Sequence, residues 1–108
     1  LNTLQDAMDI IHRGGVEMVK ITADFYHMAI EEDDISRSLT EFRDVIGHIH
    51  IAENHRYQPG TGSIDWNRHM QTLKNIGYEG AVVNEGRIRG DDPLEVYQKS
   101  VDFMKQFL

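Results

Sequence analysis

Polar and apolar positions alternate along this chain in two rhythms. Residues 16–24 read Val-Glu-Met-Val-Lys-Ile-Thr-Ala-Asp. Val19, Ile21 and Ala23 fall on one side of a period of two, and Lys20, Thr22 and Asp24 on the other, which predicts a strand. The same period runs through residues 45–52, with Ile49 and Ile51 on one face and His48, His50 and Ala52 on the other. A third, short strand is predicted over 80–85, Gly-Ala-Val-Val-Asn-Glu. Between strands the rhythm lengthens to that of helices. Leu1, Leu4, Met8 and Ile11 recur at helical spacing with Ala7 beside them, and Gly14-Gly15 closes that helix. Asp33 or Asp34 caps a second helix whose apolar stripe is Ile35, Leu39, Phe42 and Ile46. Asp65 caps a third that turns Trp66, Met70 and Leu73 inward and ends at Gly77. Asp91-Asp92-Pro93 starts a fourth, lined by Leu94, Tyr97, Val101, Met104 and Leu108.

The predicted order is α-β-α-β-α-β-α. Strands alternating with amphipathic helices imply parallel strands in βαβ units, an α/β class, here as one domain over residues 1–108. Parallel neighbours set their C-terminal ends side by side. Asp24, His50 and Glu85 each sit at such an end, 26 and 35 positions apart, close to one βα unit each. Carboxylate, imidazole and carboxylate suit a divalent cation. The set is rich in oxygen and the chain has no cysteine, so Mn²⁺ or Mg²⁺ fits better than a structural zinc, and Co²⁺ also fits. The same three residues read equally well as two capping or loop carboxylates and one hydrogen-bonded core histidine. His48, on the His50 face but one layer deeper, is expected to be a packed core histidine. Lys20 shares a face with Asp24 and is expected in a structural ion pair, since a buried ammonium needs a partner.

Composition narrows the classes of function. The 108 residues suffice for one domain, and the net charge of −7 comes without any basic block. That argues against a nucleic-acid or anionic-membrane partner. The absence of cysteine excludes disulfides and thiolate catalysis. No apolar run approaches the roughly 20 residues that span a bilayer. Leu1-Asn2-Thr3-Leu4 has neither signal-peptide character nor an initiator methionine, so the expectation is a cytoplasmic segment of a longer polypeptide. Gly60-Thr61-Gly62-Ser63 lacks the lysine of a phosphate-binding loop and reads as a turn. Arg87 and Arg89 follow the third strand, either as solvated loop arginines or to meet a phosphorylated sugar.

Five stretches carry a family resemblance. They are Asp24-Phe25-Tyr26-His27-Met28-Ala29-Ile30-Glu31-Glu32, Gly47-His48-Ile49-His50, Glu53-Asn54-His55-Arg56, Pro59-Gly60-Thr61-Gly62-Ser63-Ile64-Asp65-Trp66 and Gly77-Tyr78-Glu79-Gly80. In this order, from Val16 to Phe107, the chain resembles the xylose-isomerase-like TIM-barrel superfamily, and within it the D-tagatose 3-epimerase/D-psicose 3-epimerase branch. The resemblance implies the C-terminal part, about three βα units, of a (β/α)₈ TIM barrel. It implies a metal-dependent ketose 3-epimerase or related sugar isomerase that works by proton transfer through a cis-enediolate. Family members hold one divalent metal with two glutamates, an aspartate and a histidine. Asp24, His50 and Glu85 match three of these, and the fourth glutamate belongs to a strand preceding the one with Asp24. By the same resemblance Glu85 is also a proton-transferring base, while His27 and Arg56 hold substrate oxygens.

Some residues depart from the branch. Phe25-Tyr26 stands where threonine-phenylalanine is usual, and Glu85 is followed by Gly86-Arg87 in place of proline or serine and then phenylalanine. Hydroxypyruvate isomerases share the His-Met after the aspartate and the Pro-Gly-Thr-Gly loop; Arg56 and Glu31-Glu32 favour the epimerases. The expected partners are a small sugar or hydroxy-keto substrate, and either the rest of the barrel or other copies of the chain in a homo-oligomer. The rival expectation is a catalytically incompetent piece that serves only as an assembly or metal-binding module.

Overall fold

The structure, a computed structural model, describes residues 2–108; Leu1, expected on the first helix stripe, lies outside them. Helix α1 spans Leu4–Gly14. The Thr3 hydroxyl accepts a bond from the Asp6 N–H, and the Asp6 carboxylate accepts one from the Thr3 N–H, so two orphan donors of the first turn are satisfied reciprocally. Gly15 ends the helix at φ 64°, a left-handed conformation that costs glycine little. Strand β1 is Ile21–Asp24, and Asp24 at once caps helix α2, Phe25–Glu31. Helix α3 is Ile35–Glu41, capped by Asp34. Strand β2 is Ile46–Ile51. Helix α4, Trp66–Asn75, starts at the Asp65 cap, and strand β3 is Val82–Asn84. Helix α5, Pro93–Lys105, is capped by Asp92 with proline in its first turn.

The three strands form one parallel sheet in the order β1-β2-β3. Its register slips by one residue between Ile21 and Thr22, where Gly47 meets the Lys20 side chain closely enough to leave no room for a Cβ. The slip reconciles Ile46 with Ile49 and Ile51: all three are buried, although strict alternation would part the first from the other two. The core lies on one face of the sheet only. Ile21, Ala23, Ile49 and Ile51 pack there against Leu4 of α1, Phe25 and Met28 of α2, Ile35 and Leu39 of α3, and Trp66, Met70 and Leu73 of α4. The other face carries Thr22, Asp24, His48, His50 and Val83 and has no helix over it among the described residues. A parallel sheet covered on one side, with both edge strands unpaired among those residues, has the form that the resemblance implies for a segment of barrel wall.

Three predicted elements come out differently. The first strand begins at Ile21 rather than residue 16, and Val16, Met18 and Val19 are exposed. With no neighbour on its outer edge, the stretch before Ile21 has nothing to pair with. Lys20 consequently points outward and donates to the Asp44 carbonyl at 2.6 Å instead of pairing with Asp24. The expected second helix is α3, which starts at the Asp34 cap but ends at Glu41, so Ile46 lies in β2 and not on its stripe; ahead of it stands a helix the pattern does not mark, α2, separated from α3 by Glu32-Asp33-Asp34. The apolar stripe expected to bury α5 is largely bare: Leu94 is 81% exposed and Leu108 78%. Of that stripe Met104 packs on the core, joined there by Phe103 and, just past the helix end, Phe107, while Ser100 is buried.

Candidate metal centre

Strand pairing assembles the site. Asp24 and His50 are register partners across β1 and β2. The ladder continues one residue past β3, where the Glu85 N–H donates to the Ile51 carbonyl at 3.0 Å. Val83 faces His50 across β2 and β3, and Glu85, two residues on, emerges on that same face. His50 Nδ1 therefore stands 2.7 Å from Glu85 Oε2 and 3.7 Å from Asp24 Oδ2. One ligand atom from each residue lies within 4.8 Å of the others. Asp24 divides its carboxylate. Oδ1 accepts the Tyr26 and His27 N–H groups as the helix cap, which fixes the side chain and leaves Oδ2 facing His50.

The donor set fits a divalent cation. Ligand oxygens and nitrogens at about 2.0–2.6 Å from one ion sit roughly 3–4 Å apart. To reach that, the short His50–Glu85 contact opens slightly and the widest pair closes by less than about an ångström. Glu85 can make this adjustment, since its side chain is 53% exposed. His48 is not among the donors. It is half-buried, with its ring edge-on to His50 at 4.8 Å, so it packs against the site histidine rather than deep in a core.

His27 and Arg56 meet at Tyr26. His27 lies in the first turn of α2, edge-on to the Tyr26 ring at 5.0 Å, and the Arg56 guanidinium sits over the same ring at 5.0 Å. Arg56 holds a left-handed backbone, φ 71°, in a turn closed by the Arg56 N–H to Glu53 carbonyl and Glu53 N–H to Tyr57 carbonyl bonds. The segments after β2 and β3 are then fastened together. Arg87 N–H donates to the Arg56 carbonyl at 2.7 Å, and the Gln58 amide bonds both backbone groups of Arg89, at 3.0 and 3.1 Å. Arg89 is thus no free loop arginine; its guanidinium stacks 3.8 Å from the Tyr57 ring centroid and holds that phenol below its ordinary pKa. The Gly60–Ser63 stretch is a turn, as its sequence implies.

One buried polar residue at this end of the sheet was not singled out by its sequence context. Glu53 is wholly buried, yet it lies on the packed face. Its signal was present: Glu53 is in phase with Ile49 and Ile51, so a carboxylate occupies a position where the strand's period calls for an apolar side chain.

Comparison with known proteins agrees with this geometry. A family model described as xylose isomerase-like TIM barrel matches residues 1–107. The chain is 46% identical over 105 residues to the 3-dehydro-D-guloside 4-epimerase of Escherichia coli K12, a match that covers 97% of this chain and 40% of that protein. It is 40% identical over 85 residues to the D-psicose 3-epimerase of Enterocloster bolteae, covering 79% of this chain and 28% of the relative. The crystal structure of an E. coli 3-keto-D-glucoside 4-epimerase superposes with a TM-score of 0.95 at 45% identity, over 98% of this chain and 40% of that one. The 108 residues therefore span well under half the length of these relatives.

Proposed function

This chain belongs to the xylose isomerase-like TIM barrel family, and on that premise we propose that it supplies part of the active face of a sugar epimerase that inverts a carbon beside a ketone. A 3-epimerase of a ketose with its carbonyl at C2 and a 4-epimerase of a 3-keto sugar run the same chemistry one carbon apart. Each removes a proton from the carbon next to the carbonyl and returns it on the other side. The similarity to both kinds of enzyme supports this common step rather than one particular sugar.

The observation that carries the reading is the convergence of Asp24, His50 and Glu85 at the ends of three adjacent parallel strands. In this proposal the three hold one divalent cation, with Mn²⁺ the first choice and Mg²⁺ or Co²⁺ alternatives. When bound, that ion supplies Lewis acidity toward the substrate carbonyl and its neighbouring hydroxyl. Glu85 keeps one oxygen toward His50 and has a second free to take the proton. His27 and Arg56, joined at Tyr26, flank the centre and donate hydrogen bonds to substrate oxygens. Return of the proton on the opposite face falls to a second acid contributed by the rest of the barrel.

The test separates ligand from neighbour. In the enzyme with a complete barrel, His50→Ala is expected to remove most of the Mn²⁺ or Co²⁺ affinity measured by titration, while His48→Ala keeps it. Equal losses in both variants, or none in either, would sink the assignment. Deuterium wash-in from D₂O at C4 of a 3-keto glucoside, at C3 of a 2-ketose and into hydroxypyruvate then assigns the substrate class.

A further inference from the structure

The buried Glu53 is held by three donors from a single stretch of chain. Its Oε1 accepts the Gly60 N–H at 2.8 Å and the Trp66 indole N–H, and its Oε2 accepts the Ile64 N–H at 3.2 Å. It makes no ion pair among the described residues. A Cβ on Gly62 would fall 2.6 Å from Oε2, so the loop is wrapped onto the carboxylate itself. An apolar side chain, in phase with Ile49 and Ile51, would fill this place without any desolvation. Taking a carboxylate out of water is costly unless every lone pair finds a donor, and as a device for stability alone such a group is poor. What the carboxylate provides, and leucine could not, is a fixed geometry for the residues bonded to it.

Glu53 leads back to the site along two routes, one through its backbone and one through its carboxylate. On one, the Glu53 backbone closes the turn that holds Arg56 at its left-handed φ of 71°. On the other, Trp66 stacks on Phe25 with ring centroids 5.7 Å apart, and Phe25 lies between Asp24 and Tyr26. Tyr26 is the ring on which the Arg56 guanidinium rests. Both sides of the Arg56–Tyr26 contact are therefore tied to one residue, Arg56 through the Glu53 backbone and Tyr26 through the carboxylate and Trp66. We propose that Glu53 is a positioning residue, whose carboxylate locks the loop after β2 so that Arg56 is presented to the substrate beside the metal centre. The proposal rests on the epimerase reading for Arg56's contact with substrate, but the locking of the turn can be measured without substrate.

Glu53→Gln is the isosteric test, because its amide must set an N–H₂ against one of the three N–H donors. Trp66→Phe is the second variant; it deletes one donor and keeps the stack on Phe25. In the Mn²⁺-loaded enzyme with a complete barrel, both are expected to keep metal affinity and to lower kcat/KM about tenfold or more, the scale of a misplaced substrate-holding group. The Arg56 Nε–Hε resonance should shift or broaden in both, before any substrate is added. In an Arg56→Ala background Glu53→Gln should cost little more, since the two residues act as one unit. An unchanged Arg56 resonance, or full additivity of the two substitutions, overturns the proposal. If Arg56→Ala itself leaves kcat/KM intact, it is the substrate-holding role of Arg56 that falls, and the resonance still decides whether Glu53 locks the turn. Should Glu53→Gln fail to fold, Trp66→Phe decides the question by the same resonance and the same kcat/KM.

Discussion

Asp24 is used twice. One carboxylate oxygen caps α2 and the other faces His50, so the residue that ends a strand and starts a helix also aims at the centre of the site. Glu85 has no such tether; its side chain is half exposed and its single contact of note is with His50. That contrast matches the roles proposed for them, a fixed ligand and a carboxylate free enough to move a proton. Glu85→Gln keeps the size and one ligating oxygen but cannot accept the proton. Exchange of the substrate's acidic C–H with solvent, followed by deuterium uptake in the complete barrel, is expected to drop about a hundredfold or more, the usual scale for a positioned base. Exchange at near the wild-type rate would show that another group is the base.

Between elements, a buried polar contact joins α3 and α4. His69 of α4 is buried with Nδ1 2.7 Å from the Ser36 hydroxyl of α3, and Thr72 reaches the same hydroxyl at 2.8 Å. Phe25 of α2 closes the pocket edge-on to the ring. Burial first, and then the Arg68 guanidinium, push the His69 pKa below its usual 6.5, while Asp65 and Asp34 pull more weakly the other way. The unfolded chain therefore takes up a proton that the folded one resists. Above pH 6.5 this has no effect. As pH falls through 6.5 toward the folded-state pKa, stability is lost, at a slope of up to about 1.4 kcal/mol per pH unit. Urea unfolding of the complete protein at pH 7, 6 and 5 should show a shallower decline for His69→Gln than for the wild type. Parallel declines would mean that folding does not lower the His69 pKa. The sequence carried no sign of this clamp, because Ser36 and His69 are 33 positions apart and neither stands out alone. What was legible was whatever a local rule decides. The alternation of Ile49, His50 and Ile51 gave β2 to within a residue at each end, and the capping aspartates Asp34, Asp65 and Asp92 gave three helix starts. The convergence of Asp24, His50 and Glu85 followed from strand order alone. Helix α2 was missed because Asp24 serves both the strand and the cap, leaving no turn residues to mark the change. The facing of α5 was missed because the stripe is real but its partner is not among these residues.

At the scale of the whole molecule, the chain is a wall without an enclosure. Its Cα radius of gyration is 14.4 Å, against about 13 Å for a compact domain of this length, and it measures 47 × 25 × 24 Å. The site face of the sheet carries exposed Thr22 and Val83, and Glu85 stands half in water. In that setting the local dielectric is high and each charge interaction at the centre is weakened. The outer edges of β1 and β3 present unpaired backbone groups, which pair readily with other chains. Leu94 and Leu108 of the α5 end, with Ile10, Met18 and Ile30 elsewhere, add exposed apolar surface that water disfavours. Glu85 alone could labilise a proton on one face of a substrate, yet inversion needs an acid on the other face, and the described residues place none there. The 108-residue polypeptide by itself is therefore expected to bind a divalent cation weakly, to associate in solution, and to leave a ketose or a 3-keto glycoside unchanged. Light scattering after size-exclusion chromatography measures the first consequence of the open edges. Incubation with Mn²⁺ or Co²⁺ and each sugar, read by NMR for the inverted product, measures the last. A monodisperse monomer that epimerises either sugar would show that three strands suffice, and that the closed barrel is not what makes this site work.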